Sequence, residues 1–127
     1  MKRYALLLIA FCLLLVGCGK SKPKDLPQSV YDIASEVVPS VERYLNGNLD
    51  SDDLLTKLKS ASDDIHNIYD SLSFSEQVET LSVNNALTSL IIHVTSANNS
   101  WLTKENIDDI NKDVRSDLSD LKKSLGL

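Results

Sequence analysis

The sequence has 127 residues, with 13 Lys and Arg against 18 Asp and Glu, a formal charge of −5. That length is one small domain, able to bury a core without staples. The acidic balance repels phosphate backbones, so no nucleic acid is expected as a partner.

The chain opens Met1-Lys2-Arg3 and then runs apolar from Tyr4 through Val16. A basic start followed by ~13 apolar residues is the layout of a secretory signal. A spanning helix needs ~20 apolar residues to cross ~30 Å of hydrocarbon, and this run is too short. An Ala-x-Ala-like cleavage site is missing; Leu15-Val16-Gly17-Cys18 stands in its place. That tetrapeptide resembles the lipobox of bacterial lipoproteins, and the resemblance covers Met1 to about Lys20 only. It implies that residues 1–17 are a cleaved lipoprotein signal peptide and that the Cys18 sulfur carries diacylglycerol. The mature protein would then be lipid-anchored at the extracytoplasmic face of the cell membrane, or on the outer membrane of a cell that has two. Export favours disulfides, but Cys12 falls in the discarded segment and Cys18 becomes a thioether. Two acyl chains make a stable anchor where one gives only marginal attachment.

Removing 17 residues from 127 leaves 110; Lys2 and Arg3 go with them, so 11 basic residues face 18 acidic ones, a balance of −7. Residues 18–25 read as a short basic tether. Lys20, Lys22 and Lys24 either gain up to ~1 kcal/mol each from anionic headgroups or simply solvate a linker. The seven residues "GKSKPKD" reach about 25 Å when fully extended. The folded part, residues 26–127, therefore stays near the bilayer, among membrane proteins, lipids or wall-proximal material.

From Pro27 onward the apolar residues recur at three and four, a helical period. The first helix takes Val30, Ile33, Ala34, Val37, Val38, Val41 and Leu45. Pro27 fits its first turn, where a missing N–H costs nothing, and Asn46-Gly47-Asn48 supplies the stop. Pro39 would clash with the Ser35 carbonyl, so a kink, or else a break, is expected there. Ser51 is the expected N-cap of the second helix, with Asp52 and Asp53 favoured by the macrodipole. Its stripe is Leu54, Leu58, Ala61, Ile65, Ile68 and Leu72. Ser73-Phe74-Ser75-Glu76 fits a capping box. The third helix then carries Val83, Leu87, Leu90, Ile91 and Val94, with Val78 and Leu81 drifting to a neighbouring face. Asn98-Asn99-Ser100 closes it. Thr103 caps the last helix, whose stripe is Ile107, Ile110, Val114, Leu118, Leu121 and Leu125, with Gly126 just beyond. The expected fold is all-α: a small antiparallel bundle of three to four helices.

The search for chemistry is mostly negative. Asn46, Asn48, Asp50 and Asp52 alternate as a calcium loop begins, but an EF-hand needs a glycine sixth and a glutamate twelfth. From Asn46 those positions hold Ser51 and Lys57, and from Asn48 they hold Asp53 and Lys59. His66 and His93 lie on different helices, and a zinc site takes three or four ligands, so no metal and no cofactor are expected. No Gly-x-Ser-x-Gly elbow or phosphate-binding glycine loop occurs. The acids of the second helix (Asp52, Asp53, Asp63, Asp64, Asp70) and of the fourth (Asp108, Asp109, Asp113, Asp117, Asp120) are expected on outer faces. Trp101, the only tryptophan, sits in "NNSWLT" between the last two helices. It is the candidate interface residue, tryptophan being enriched at hot spots; the commoner role would be plugging the bundle end beside Leu102. Tyr31, Tyr44 and Tyr69 pose the same question, and packing against the bundle is again the expected role.

The expected function is a membrane-anchored, non-catalytic binding module with a membrane or envelope protein as partner. Small exported lipoproteins of this size act as immunity or exclusion factors, or as accessory subunits of envelope complexes. The alternative is a lipid or peptide carrier with a cavity between helices, which requires an oversized interior and an apolar mouth.

Overall fold

The computed structural model describes residues 21–99 and 101–127; Cys18 and the signal segment lie outside them. Four helices follow in chain order: α1 (Gln28–Leu45), α2 (Ser51–Tyr69), α3 (Phe74–Ala97) and α4 (Lys104–Leu125). Each packs chiefly on its two neighbours around the ring α1–α2–α3–α4. Short turns make neighbours antiparallel, as the cross-links between helices record. At one pole Gln77 Nε2 donates to the Tyr69 carbonyl (3.2 Å). At the other, Asn98 Nδ2 donates to Asp52 Oδ1 (2.7 Å). The architecture is the expected all-α bundle, with no strand among the described residues.

The stripes read from the sequence are the core. Val30, Val41, Leu54, Leu58, Ile65, Val83, Leu87, Leu90, Val94, Val114, Leu121 and Leu125 are all buried. Fully burying a side chain of this kind is worth about 1.5–3 kcal/mol, which no single helix could gain alone. Tyr31 and Tyr44 pack against this core rather than standing free, and partial burial raises the Tyr44 phenol above its ordinary range by desolvation.

Three local expectations shift. α1 runs unbroken through Pro39, whose ring points to solvent, so the break is excluded. Pro27 is the N-cap of α1 rather than a first-turn residue. The N-cap of α2 is Asp50, not Ser51: its carboxylate accepts from the Asp53 N–H at 2.8 Å. Asp and Ser cap about equally well, and Ser51 Oγ is engaged elsewhere, donating to Asn98 Oδ1 at 3.0 Å.

Two other caps form as expected. Ser73 and Glu76 make the capping box of α3, with Glu76 Oε2 accepting from the Ser73 N–H (2.8 Å) and hydroxyl (2.7 Å). Those bonds, the hydroxyl first, lower the Glu76 carboxyl below its usual value. A carboxyl lowered on folding stabilises above its unfolded pKa; this capping contribution is present at neutral pH and fades on acidification. Gly126 ends α4 in the left-handed region at φ 74°, the conformation in which glycine avoids the Cβ penalty.

The segment before α1 is part of the fold. Leu26 is buried, its N–H donates to the Pro23 carbonyl (3.1 Å), and the Lys22 ammonium bonds the Leu26 carbonyl. Pro23 lies in a groove with Glu79, Ser82 and Ser124, and Ser21 lies against Gly126. The described part of the expected tether thus covers the pole formed by the start of α3 and the end of α4.

One core position violates the pattern. Thr80 is fully buried and its hydroxyl has no hydrogen-bond partner. Burying an unpaired hydroxyl costs about 1–3 kcal/mol in protein hosts. Thr80→Val keeps the shape and removes the cost, so chemical denaturation should show a gain of about 1 kcal/mol. A loss of stability would mean that the hydroxyl is satisfied after all.

Candidate functional site

The pole opposite the N-terminal segment is built from two turns. The α1–α2 turn holds Asn46 to Asp50, and the α3–α4 turn holds Asn98 to Thr103, of which Ser100 lies outside the described residues. The second turn is fixed at both edges. On one side Asn98 takes both bonds to α2 described above, and Asn99 Nδ2 donates to the Ser96 carbonyl (3.0 Å). On the other, Thr103 caps α4, with its hydroxyl accepting from the Asn106 N–H (3.3 Å) and Asn106 Oδ1 accepting in return.

Trp101 stands between those anchors and is 78% exposed. The plugging role is therefore overturned: Ile110 packs against the core, Leu102 is partly buried, and the indole lies outside. The physical reason is the turn itself. Asn98 and Thr103 spend their side chains fixing the loop against α2 and α4, which leaves the intervening residue directed to water. Around the turn lie Asp50, Asp52, Asp53, Glu105 and Asp108, all exposed, with Lys104 as the nearest base in sequence. An exposed indole on a braced turn, with the Asp52 carboxylate bonded to the same turn, can bind an apolar pocket with a basic rim at small ordering cost.

The acidic faces are outward as expected, with one correction. Asp117 is only 8% exposed, and its Oδ2 lies 2.5 Å from His93 Nδ1 across the α3–α4 seam. On the other side of the ring, His93 Nε2 is 4.0 Å from Asp113 Oδ2. A buried carboxyl group needs a hydrogen-bond partner, and the His93 ring stands within reach to be one. His66, by contrast, is exposed on α2. No group of three His, Cys, Asp or Glu among the described residues has the geometry to hold a metal ion. His93 and Asp117 serve the seam, joining α3 to α4 where Ser82 and Ser124 also meet (2.8 Å).

A second surface was only half legible in the sequence. Phe74, Val78, Leu81 and Ile92 are each between 48% and 83% exposed. Val78 and Leu81 leave the core stripe as expected, and the face they reach is the side of α3 opposite the core. The concavities described are open surface grooves, the one between α1 and α2 lying beside Ile33, Val37 and Ala61. No described helix is long and apolar enough to cross a membrane.

No family model matches this chain, and no curated protein or solved structure matches it significantly. The class the geometry defines is a small helical bundle with an exposed tryptophan and an exposed apolar helix face.

Proposed function

We propose that the protein is a lipid-anchored, non-catalytic binding module of the cell envelope. In this reading the diacylglyceryl group on Cys18 pins the N-terminal pole to the bilayer, and the Trp101 pole is offered to an envelope protein. The observation that carries the reading is the exposure of Trp101 at the end of the bundle away from the N-terminal segment. The 24 residues of α3 separate the two poles by about 36 Å at 1.5 Å per residue. Ser21 already lies on the bundle, so three residues, 18–20, reaching about 10 Å, join the fold to the anchor. The partner's chemistry follows from the carboxylates around the Trp101 turn: a basic rim around an apolar or aromatic pocket. The concavities described are open grooves, which suit docking on a surface better than enclosing a carried ligand.

The test has two arms. Cys18→Ser should leave an uncut, unlipidated precursor, and normal maturation of that variant would refute the anchor. A photo-crosslinking residue placed at Trp101 in the anchored protein should give a discrete adduct on an envelope protein, while the same group at Thr56 does not. Trp101→Ala should leave the unfolding curve unchanged and weaken that partner by about 30-fold or more, the loss typical of an aromatic hot spot. An adduct pattern identical at both positions would refute the Trp101 interface.

A further inference from the structure

α3 carries two apolar faces where the other three helices carry one. Its inner face holds Val83, Leu87, Leu90 and Val94. Its outer face holds Phe74, Val78, Leu81, Asn85, Thr88 and Ile92, all exposed and spaced four, three, four, three, four. A helix apolar on both sides is ordinarily covered on both. The outer spacing is a heptad seam with Val78, Asn85 and Ile92 at the a positions and Phe74, Leu81 and Thr88 at the d positions.

The composition of that seam selects its occupant. β-Branched residues at a with leucine at d favour two parallel strands, and one asparagine at a fixes their register by pairing with its own copy. Val78, Ile92, Leu81 and Asn85 fill those roles. The flanks are serines at 75, 82 and 89 on one side and Gln77, Asn84 and Ile91 on the other. None of these flanking positions of α3 is charged, and the groove beside Asn85 and Ser82 adds Glu79, Asp120 and Lys123, charges of both signs at the edge of the seam. The N-terminal end of the described chain gives the orientation. Ser21 lies three residues after Cys18 and sits at the pole where α3 begins. Two chains anchored in one leaflet therefore point the same way, and their α3 helices lie parallel about a two-fold axis along the membrane normal.

We infer that the outer face of α3 pairs with the same face of a second copy, as a parallel two-helix seam centred on Asn85, between chains anchored in one membrane. The orientation rests on the lipid anchor proposed above. The seam runs over the 19 residues from Phe74 to Ile92, a rise of about 27 Å. One helix face per partner falls below the ~1,200 Å² of ordinary stable complexes, so the pair is weak in free solution. Confinement to a membrane raises the effective concentration and completes it. Both bodies are acidic, so salt screens their mutual repulsion and strengthens the pair. A basic partner helix on the same seam would weaken with salt.

Disulfide trapping tests this in the lipidated mature protein on phosphatidylglycerol–phosphatidylcholine vesicles, since that chain carries no other free thiol. Val78→Cys and Ile92→Cys should each oxidise to a homodimer, because a parallel two-fold sets each residue opposite its own copy; Thr56→Cys should not. Adding Leu81→Glu should cut either dimer by about tenfold or more, by burying a charge in the seam, with helix content unchanged. Dilution in detergent should lower trapping and added salt should raise it. A dimer only when Phe74→Cys and Ile92→Cys chains are mixed would mean antiparallel pairing and overturn the proposal. So would the absence of trapping on vesicles, whether position 81 labelled with a fluorophore is then quenched by brominated lipid or crosslinks to another protein. Intact mass reads the anchor separately. Lipidated chains that fail to trap sink the seam alone, and trapped chains without diacylglyceryl sink the anchor alone.

Discussion

Leu87→Ala should lower the unfolding free energy by about 3–5 kcal/mol, the range for deleting a fully buried leucine when the surroundings cannot collapse into the hole. Leu87 is completely buried on the inner face of α3, among neighbours from the facing helices. In a bundle of this size total stability is about 5–15 kcal/mol, so one substitution removes a large share of it. The melting temperature should fall by about 4–8 °C for each kcal/mol lost. Leu81→Ala is the internal control: the same residue type on the same helix, six positions away and facing outward. In the monomer it should stay within about 0.5 kcal/mol of the parent. Comparable losses at the two positions, read by urea unfolding in dilute detergent, would mean that the faces of α3 are assigned the wrong way round.

That contrast also explains which parts of the molecule could be read beforehand. α1, α2 and α4 each have one apolar stripe against polar faces, so periodicity alone names their core residues. α3 has two stripes in phase with one another, and periodicity cannot say which faces the ring. Burial can, because only the face with Val83, Leu87, Leu90 and Val94 is enclosed. The outer set was visible as Val78 and Leu81, but its full length needed Phe74 and Ile92, separated by the polar Asn85 and Thr88. Asp117 was misread for a related reason. It sits within a run of acids on α4, and nothing in the spacing marks it as the one facing His93 twenty-four residues away. The turn holding Trp101 was located correctly, while the direction of the indole depends on Asn98 reaching Asp52, a contact between residues 46 apart. Local signals survive from sequence to structure to within about a residue, as the capping box at Ser73 and the shift of the α2 cap from Ser51 to Asp50 both show, because they act within four residues. Pairings across helices depend on register, which the pattern leaves free.

The two proposed surfaces are compatible because they occupy different parts of the bundle. In a chain anchored as proposed, the outer face of α3 would lie sideways, parallel to the membrane, and the Trp101 turn would face away from it. Paired chains would present two tryptophans on the same side, which gives a repeated or two-fold partner the advantage of avidity. The His93–Asp117 pair holds α4 beside α3, and so sets the position of the turn that joins them.

Gly126→Ala should cost about 2–4 kcal/mol and release the N-terminal segment, whereas Gly47→Ala should cost only about 1 kcal/mol. Both glycines have positive φ, 74° and 73°, so both substitutions incur the left-handed penalty of roughly 1–2 kcal/mol. They differ in space. A Cβ on Gly47 meets nothing within 4 Å, but one on Gly126 overlaps the Ser21 carbonyl oxygen and comes within 2.8 Å of its carbon. Those are backbone atoms, so relief requires the whole segment to move. Ser21 to Asp25 is held by few bonds, and Leu26 is the buried residue that fixes it. Loosening Leu26 forfeits part of the about 1.5–3 kcal/mol that its burial supplies, which is the origin of the difference between the two variants. The readouts are urea denaturation and amide exchange at Leu26, whose N–H bonds the Pro23 carbonyl. Protection at Leu26 should collapse in Gly126→Ala and persist in Gly47→Ala. Freed from the bundle, Ser21 to Asp25 would add about 17 Å of reach between lipid and fold at ~3.5 Å per residue. The same variant should therefore reduce disulfide trapping through Ile92→Cys on vesicles, since a longer leash no longer holds two bundles at one height. Equal stability losses in the two glycine variants, with Leu26 still protected in both, would show that Ser21 does not rest on Gly126.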